Sequence, residues 1–170
     1  GYIKMAFNWL GVDALTLHPY LGQKALKPFL GLKDKFFFIL CRTSNLGAGE
    51  FQDLRILSRS GLANAVRSDL LLYEYIAQKV SQEWNKNNNC GLVVGATYSK
   101  ELSIIRKIVG KMLLLIPGVG SQGADVEKTV KAARGGEFLI NSSRAIIYAS
   151  SGKDFSQKAR QETKKLKDLI

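Results

Sequence analysis

Five short apolar runs, each followed by a polar or glycine-rich turn, constrain the fold of this chain more than any other feature. The runs are residues 14–18, 36–41, 91–96, 111–116 and 137–140, and helical patterns occupy most of the sequence between them. Strands that alternate with helices predict an α/β protein with a parallel sheet. The run FFFILC at 36–41 is continuously apolar, which predicts a strand that is buried on both faces.

Two architectures contain such a sheet, an open doubly wound sheet and a (β/α)₈ barrel. In a barrel the carboxyl ends of all strands meet at one catalytic face, whereas in an open sheet only the ends near the switch point bind ligands. All five runs end in polar residues, glycine or proline, and this favours the (β/α)₈ TIM barrel. The length of 170 residues predicts one domain over residues 1–170.

A complete barrel usually needs about 250 residues, and this chain has 170. We therefore expect it to supply roughly the last five strands and their helices, with the N-terminal strands lying before Gly1. The first residues have no charged and apolar regions typical of a signal peptide. Within the chain, Ser99 is predicted to cap one helix, and Asp154 with Gln157 is predicted to form a capping box at the start of the last.

The composition excludes several classes of function. The net charge is +11, but the lysines are scattered along predicted helix faces, with no basic run of five, so we expect no nucleic-acid partner. No apolar run approaches the ~20 residues of a membrane span. One histidine and two cysteines, without metal-ligand spacing, predict no metal site. Cys41 and Cys90 are expected to be buried apolar residues in a reducing compartment.

Two neighbouring strand ends carry groups that bind anions. The run LLLIPGVGSQG at 113–123 passes from a strand through a glycine turn into a helix, a form in which backbone N–H groups face a phosphate. The run FLINSSR at 138–144 ends in hydroxyls and a guanidinium. Together they predict a phosphorylated ligand.

Residues 118–123 also match the pattern GxGxxG, which occurs in dinucleotide-binding folds. Those folds place an acidic residue at the end of the next strand, where this chain has NSSR at 141–144. Arg144 could instead meet a 2′-phosphate, so an NADP-binding oxidoreductase domain is an alternative interpretation.

Several motifs, in order and at matching spacing, extend this pattern over nearly the whole chain. They are TLHPYLG (16–22), LCRTSN (40–45), QDL (52–54), GLVVGATY (91–98), PGVGSQG (117–123) and NSSR (141–144). In these motifs the chain resembles the C-terminal portion of orotidine 5′-phosphate decarboxylases of the longer, bacterial type (type 2). The resemblance implies a (β/α)₈ barrel, a cytoplasmic homodimer with sites at the subunit interface, and the substrate orotidine 5′-phosphate.

The resemblance also implies roles for individual residues. The 5′-phosphate would be held by Gln122 and Arg144, with backbone N–H groups around Gly120 and Gly123. Ser44 would hydrogen-bond the amide edge of the pyrimidine, and Pro117 would pack beside the ring. Supporting roles fall to His18, Thr43 and Asn45, although His18 stands where the family has asparagine.

The implied reaction releases CO₂ from C6 of the pyrimidine and gives UMP without a metal or cofactor. The family protonates the C6 carbanion with a lysine flanked by aspartates, in a Lys-x-x-Asp segment that we expect before Gly1. Lys4 lies inside a helix pattern and Asp13 precedes a strand, so neither fits. We therefore assign no catalytic residue to this chain and expect it to be inactive alone. A non-catalytic nucleotide-binding barrel is the third interpretation.

Overall fold

The computed structural model describes residues 1–56, 70–119 and 125–170. All five strands predicted from apolar runs are present, with shifts of a few residues at their ends. The strands are β1 (Ala14–Leu17), β2 (Phe36–Arg42), β3 (Arg55–Ile56), β4 (Leu70–Leu71), β5 (Cys90–Val94), β6 (Leu114–Pro117) and β7 (Phe138–Asn141).

Helices follow most of these strands. The α-helices are α1 (Gly22–Leu30), α2 (Gly49–Gln52), α3 (Leu72–Lys79), α4 (Ser99–Val109), α5 (Val126–Ala133), α6 (Arg144–Ile147) and α7 (Phe155–Lys167). Two π-helical segments, Lys4–Trp9 and Val80–Trp84, and a 3₁₀ turn at Pro19–Leu21 complete the helical structure of the described residues. Among these residues no helix is both long and apolar enough to span a membrane.

The main sheet is parallel and follows the order of the chain. Its order is β1-β2-β5-β6-β7, and β3 and β4 form a separate antiparallel pair. The strand order never reverses, so the described sheet has no topological switch point of the kind that defines a doubly wound fold. Sequential parallel pairing is the arrangement of a barrel wall.

Helices pack on one face of this sheet. On β2 the alternate residues Phe37, Ile39 and Cys41 are at most 1% exposed and belong to the core with α1, α3 and α4. Phe36 and Phe38 point to the other face and are only half-buried. The prediction that β2 is buried on both faces is therefore wrong, because the described chain covers only the helix side.

The amino ends of the last strands are joined by a buried arginine. Arg106 of α4 is 5% exposed. Its guanidinium donates to the carbonyls of Ala133, Gly110, Met112 and Glu137 at 2.7–2.8 Å. Burial lowers its pKa. This end of the sheet is thus stabilised by one side chain that satisfies four backbone acceptors.

Two of the predicted helix caps are absent. Ser99 is the first residue of α4, and the preceding Tyr98 makes no side-chain cap. Asp154 stands at the cap position of α7, but its carboxylate accepts from the Ser150 hydroxyl at 2.6 Å instead of from the helix. A side-chain cap is present at the start of α5, where Asp125 accepts from the Lys128 N–H at 3.0 Å.

Candidate functional site

The predicted ligand-binding residues follow the carboxyl ends of the parallel strands, which lie at one edge of the sheet. Ser44 comes two residues after β2 and is half-buried, Pro117 ends β6, and Arg144 begins α6 just after β7. The predicted supporting residues follow β1 and β2: His18 and Asn45 are exposed, and Thr43 is half-buried. Gly120, Gln122 and Gly123 lie outside the described residues.

Ser44 packs against Gly95, the glycine that follows β5. An ideal Cβ built on Gly95 would lie 2.7 Å from both the Cβ and the backbone nitrogen of Ser44. Real Cβ atoms do not approach backbone so closely, so this contact requires glycine. The Gly95 N–H donates to the Arg42 carbonyl at 2.7 Å. The loop after β2 is therefore held directly against the end of β5.

Hydrogen bonds also connect the chain after β5 to the end of β6, and the turn after β6 to the chain after β7. The Ala96 N–H donates to the Pro117 carbonyl at 2.9 Å, and the Ser142 hydroxyl donates to the Val119 carbonyl at 2.9 Å. Gly118 turns the chain after β6 with a φ of +97°, a conformation that favours glycine. The turn that the sequence predicts as a phosphate loop thus begins next to the end of β7.

Arg144 is an exposed cation at this edge. Its guanidinium forms no ion pair or hydrogen bond with a side chain within the described parts of the chain. Beside it, the Ser143 hydroxyl donates to Asn141 Oδ1 at 3.2 Å. A guanidinium can bind a phosphate through two parallel hydrogen bonds.

The supporting residues line a small cavity at the ends of β1 and β2. It has a volume of about 160 Å³, and its walls include His18, Thr43, Asn45, Gln52 and Cys41. Burial raises the pKa of the Cys41 thiol, which donates to the Tyr73 carbonyl at 3.2 Å. A protonated thiol is a poor nucleophile, so Cys41 contributes packing here.

Two larger cavities lie away from this edge. One of about 440 Å³ is formed between α1 and the helical segment after α3, with Lys24, Lys27 and Trp84 among its walls. None of the predicted site residues lines it. We take the strand ends as the candidate site because polar groups converge there, as they do in parallel α/β proteins.

Sequence reasoning missed a buried polar cluster directly beneath Ser44. Arg42 is 2% exposed and contacts Gln52, Asp53 and the ring of Tyr98. The available signal was a cation at the last position of an otherwise apolar strand, FFFILCR. A charge at such a position is buried only when it has partners.

The two nearest candidates for proton transfer lie elsewhere. Lys4 is in the π-helical segment Lys4–Trp9, and Asp13 precedes β1, where its carboxylate lies 3.7 Å from Lys35 Nζ. Asp13 is therefore at the amino end of the sheet, opposite to the strand ends that carry Ser44 and Arg144. The described residues contain no group of three histidine, cysteine or acidic side chains that could hold a metal ion.

Known proteins resemble this chain over nearly its whole length. The family model described as orotidine 5′-phosphate decarboxylase / HUMPS family matches residues 2–159. The orotidine 5′-phosphate decarboxylase of Azoarcus sp. is 43% identical over 172 residues, which cover 99% of this chain and 60% of the relative. That of Herpetosiphon aurantiacus is 47% identical over 160 residues, which cover 94% and 56%. The chain thus spans less than two thirds of the length of these relatives.

Solved structures of this kind share the fold. The OMP decarboxylase of Leishmania donovani superposes with a TM-score of 0.78 at 32% identity, covering 99% of this chain and 61% of that one. The UMP synthase of the same organism gives a TM-score of 0.81 at 34% identity, covering 99% and 35%. The sequential parallel sheet and its helices are accordingly part of a (β/α)₈ barrel, as the strand ends predict.

Proposed function

Since the chain belongs to the orotidine 5′-phosphate decarboxylase / HUMPS family, we propose that it binds the nucleotide in an enzyme that converts orotidine 5′-phosphate to UMP and CO₂. The observation that carries this proposal is the arrangement of the strand ends. A sequential parallel sheet brings Ser44, Pro117 and Arg144 to one edge, with polar or glycine-rich turns around them.

In this proposal the two parts of the nucleotide meet different strand ends. Arg144 and Gln122 bind the 5′-phosphate, together with backbone N–H groups around Gly120 and Gly123. Ser44 hydrogen-bonds the amide edge of the pyrimidine. The close packing of Ser44 against Gly95 supports this role, because it holds the loop after β2 against the end of β5.

The remaining predicted residues shape the base site. Pro117 packs against the ring, and the walls of the small cavity that contain His18, Thr43 and Asn45 support the loop after β2.

This chain's contribution to the rate is binding energy. Decarboxylation leaves a carbanion at C6, far from the phosphate. Contacts to the phosphate accelerate such a step when their energy is realised in the transition state. We assign no proton donor to residues 1–170. The protonation of C6 in this proposal belongs to a Lys-x-x-Asp segment outside them, and the reaction needs no metal or cofactor.

The proposal extends to the context of the chain. We propose that residues 1–170 are one part of a single barrel domain, that the enzyme acts as a homodimer, and that it works in the cytoplasm. Light scattering of the natively expressed protein tests the oligomeric state. A mass equal to one chain would overturn the proposed dimer.

The first test measures ligand binding by calorimetry in the natively expressed protein. We expect UMP to bind and NADPH not to bind. Arg144→Ala should weaken UMP about 10- to 100-fold, because a charge-assisted contact to the phosphate is lost. Uridine lacks the phosphate, and its affinity should change by less than about twofold. The matched control is Arg160→Ala, which removes an exposed arginine from α7 and should change neither affinity.

Three outcomes would contradict parts of this proposal. Equal weakening of UMP and uridine by Arg144→Ala would remove Arg144 from the phosphate site. Binding of NADPH in place of UMP would support the dinucleotide interpretation of residues 118–123. A separate assay follows CO₂ release from orotidine 5′-phosphate, and binding of UMP without this activity would indicate a non-catalytic nucleotide-binding barrel.

A further inference from the structure

Arg42 is a buried cation that the proposed ligand contacts do not use. At 2% exposure it is among the largest fully buried side chains in the described structure. Removing a guanidinium from water is unfavourable unless it gains hydrogen bonds and a counter-charge. The position of Arg42, two residues before Ser44, makes its contacts relevant to base recognition.

An irregularity in β2 determines the direction of this side chain. Leu40 pairs with Val93, but Arg42 pairs with Val94, so the register shifts and Cys41 is an extra residue. Strict alternation would put Arg42 on the same open face as Phe38 and Leu40. The bulge places it instead on the helix-covered side, since bulges re-aim side chains at strand ends.

On that side the guanidinium joins three parts of the chain. Nη1 donates to the Thr43 carbonyl at 3.0 Å and to Gln52 Oε1 at 3.2 Å, and Nη2 donates to Asp53 Oδ2 at 3.0 Å. The guanidinium carbon lies over the ring of Tyr98, 3.8 Å from its centroid. Arginine is suited to this combination of forked donation and stacking, and lysine is not.

Gln52 completes the connection to the loop. Its Oε1 also accepts from the Thr43 N–H at 2.9 Å, and its Nε2 donates to the Thr43 hydroxyl at 3.1 Å. Thr43 is therefore fixed at its amide, its carbonyl and its side chain. The carbonyl of Thr43 belongs to the peptide unit that carries the nitrogen of Ser44, and that nitrogen faces Gly95.

One further observation separates positioning from simple stabilisation. Nε of Arg42 is buried and has no hydrogen-bond partner among the described residues. An unmade hydrogen bond on a buried donor is destabilising, and apolar residues often replace buried charges without loss of stability. What the contacts show directly is that Arg42, with Gln52, holds Thr43 beside Ser44.

We propose that Arg42 is a positioning residue for base recognition: with Gln52 it fixes the peptide between Thr43 and Ser44 against Gly95, so that Ser44 meets the amide edge of the pyrimidine. Arg42 acts through Ser44 and does not touch the ligand. This inference rests on the proposed function, because it assumes that Ser44 reads the base.

The test compares two ligands in the natively expressed protein, UMP and ribose 5-phosphate, which lacks the base. We expect Arg42→Met to weaken UMP about 10-fold and to change ribose 5-phosphate by less than about twofold. Arg42→Lys keeps the charge near Asp53 but loses the fork, so it should not restore UMP affinity. The matched control is Arg106→Met, which removes the other buried arginine at the opposite end of the sheet and should leave the ratio of the two affinities unchanged.

A double-mutant cycle tests the route of the effect. If Arg42 acts through Ser44, adding Arg42→Met to Ser44→Ala should weaken UMP no further, since the two changes remove one interaction. Hydrogen exchange supplies a second measurement, in which the amides of residues 43 and 44 should exchange faster in Arg42→Met than in Arg106→Met.

The outcomes separate this inference from the proposed function. No binding of UMP by the unsubstituted protein, or no effect of Ser44→Ala, would contradict the function on which the inference rests. If UMP binds and Ser44→Ala weakens it, additive effects of the two variants would overturn the positioning role. Equal loss of UMP and ribose 5-phosphate in Arg42→Met would also overturn it, because a general loss of structure explains that result.

Discussion

At the scale of single residues, two glycines matter as much as any polar group, namely Gly91 in β5 and Gly95 just after it. A side chain at either position would collide with its neighbours. A Cβ on Gly95 would collide with Ser44. A Cβ on Gly91 would lie 2.6 Å from the Leu113 carbonyl and about 3 Å from the rings of Phe36 and Phe38. The two glycines allow similar close contacts, but only one of them faces a predicted ligand-binding residue.

Gly95→Ala should therefore impair base binding specifically. The methyl group must displace Ser44, so we expect UMP affinity to fall about 10-fold with ribose 5-phosphate affinity unchanged. Gly91→Ala is the matched control: its clash should lower stability by about 1–3 kcal/mol without changing the ratio of the two affinities. Calorimetry and urea unfolding measure the two effects. A lowered ratio in Gly91→Ala, or an unchanged one in Gly95→Ala, would contradict this assignment.

The positions of some of these residues in the fold follow from the sequence and those of others do not, for physical reasons. Ser44, Pro117 and Arg144 are predictable because each follows an apolar strand whose end turns polar, and parallel strands end together. Arg42 is not, because alternation along FFFILCR assigns it to the other face. A bulge depends on how β2 pairs with β5, and local sequence does not specify that pairing.

At the scale of elements, the start of each helix depends on backbone shape as well as on residue type. Asp125 is extended, with φ −74° and ψ 115°, and its carboxylate reaches the Lys128 N–H. Asp154 has φ −88° and ψ 10° and makes no such bond. A capping residue needs the extended conformation. The sequence shows an aspartate in both places but not the direction from which the chain enters the helix.

Replacing the two aspartates should give different results. Asp125→Ala removes a helix cap, and we expect the thermal midpoint to fall by roughly 2–4 °C. Asp154→Ala removes only a bond from Ser150 and should leave α7 unchanged. Circular dichroism during heating compares them, and an equal fall in both variants would contradict the assignment of the cap.

The effect of Asp125 should also depend on pH. The N–H of Lys128 holds the pKa of the Asp125 carboxyl below its ordinary value. Its stabilising contribution is then present above that ordinary value and is lost as the pH falls through the lowered pKa. The difference in thermal midpoint between Asp125→Ala and the unsubstituted protein should shrink in acid. A difference that persists when the carboxyl is protonated would contradict this account.

At the scale of the whole molecule, the core contains acids that must stay protonated. Burial raises the pKa of Cys90 to about 11, and it also raises the pKa values of Cys41 and Tyr73. A group with a raised pKa in the folded state contributes full stability below its ordinary pKa and loses it as the pH rises. For Cys90 this loss extends from its ordinary value, 9.0, to about 11.

The folded state should therefore be less stable at alkaline pH. We expect the free energy of unfolding to fall between about pH 9 and pH 11, and Cys90→Ala should make this fall shallower. Tyr148→Phe, which alters an exposed tyrosine, is the control and should leave the slope unchanged. Urea unfolding across this pH range measures it. The same slope in Cys90→Ala as in the unsubstituted protein would refute the contribution of this thiol.

The architecture was predictable at this scale because it depends on repetition. Five apolar runs with intervening helices predict a parallel sheet, and their polar ends distinguish a barrel from an open sheet. Burial was less predictable: Phe36 and Phe38 have the residue types of a strand covered on both sides, but the described chain covers one side. The residue types in a strand do not show which parts of the chain pack over each of its faces.

The bulge in β2 has a consequence for how this strand can change during evolution. Up to Cys41 the side chains of β2 alternate between the two faces of the sheet. The bulge shifts this alternation by one residue, so Arg42 lies on the same face as Cys41. Substitutions keep that phase, but deleting one residue between 36 and 42 would turn the guanidinium away from Gln52 and Asp53. The exposed turn that begins at Asn45 has no such phase. Length variation among related sequences should therefore accumulate just after Ser44 and be rare just before it.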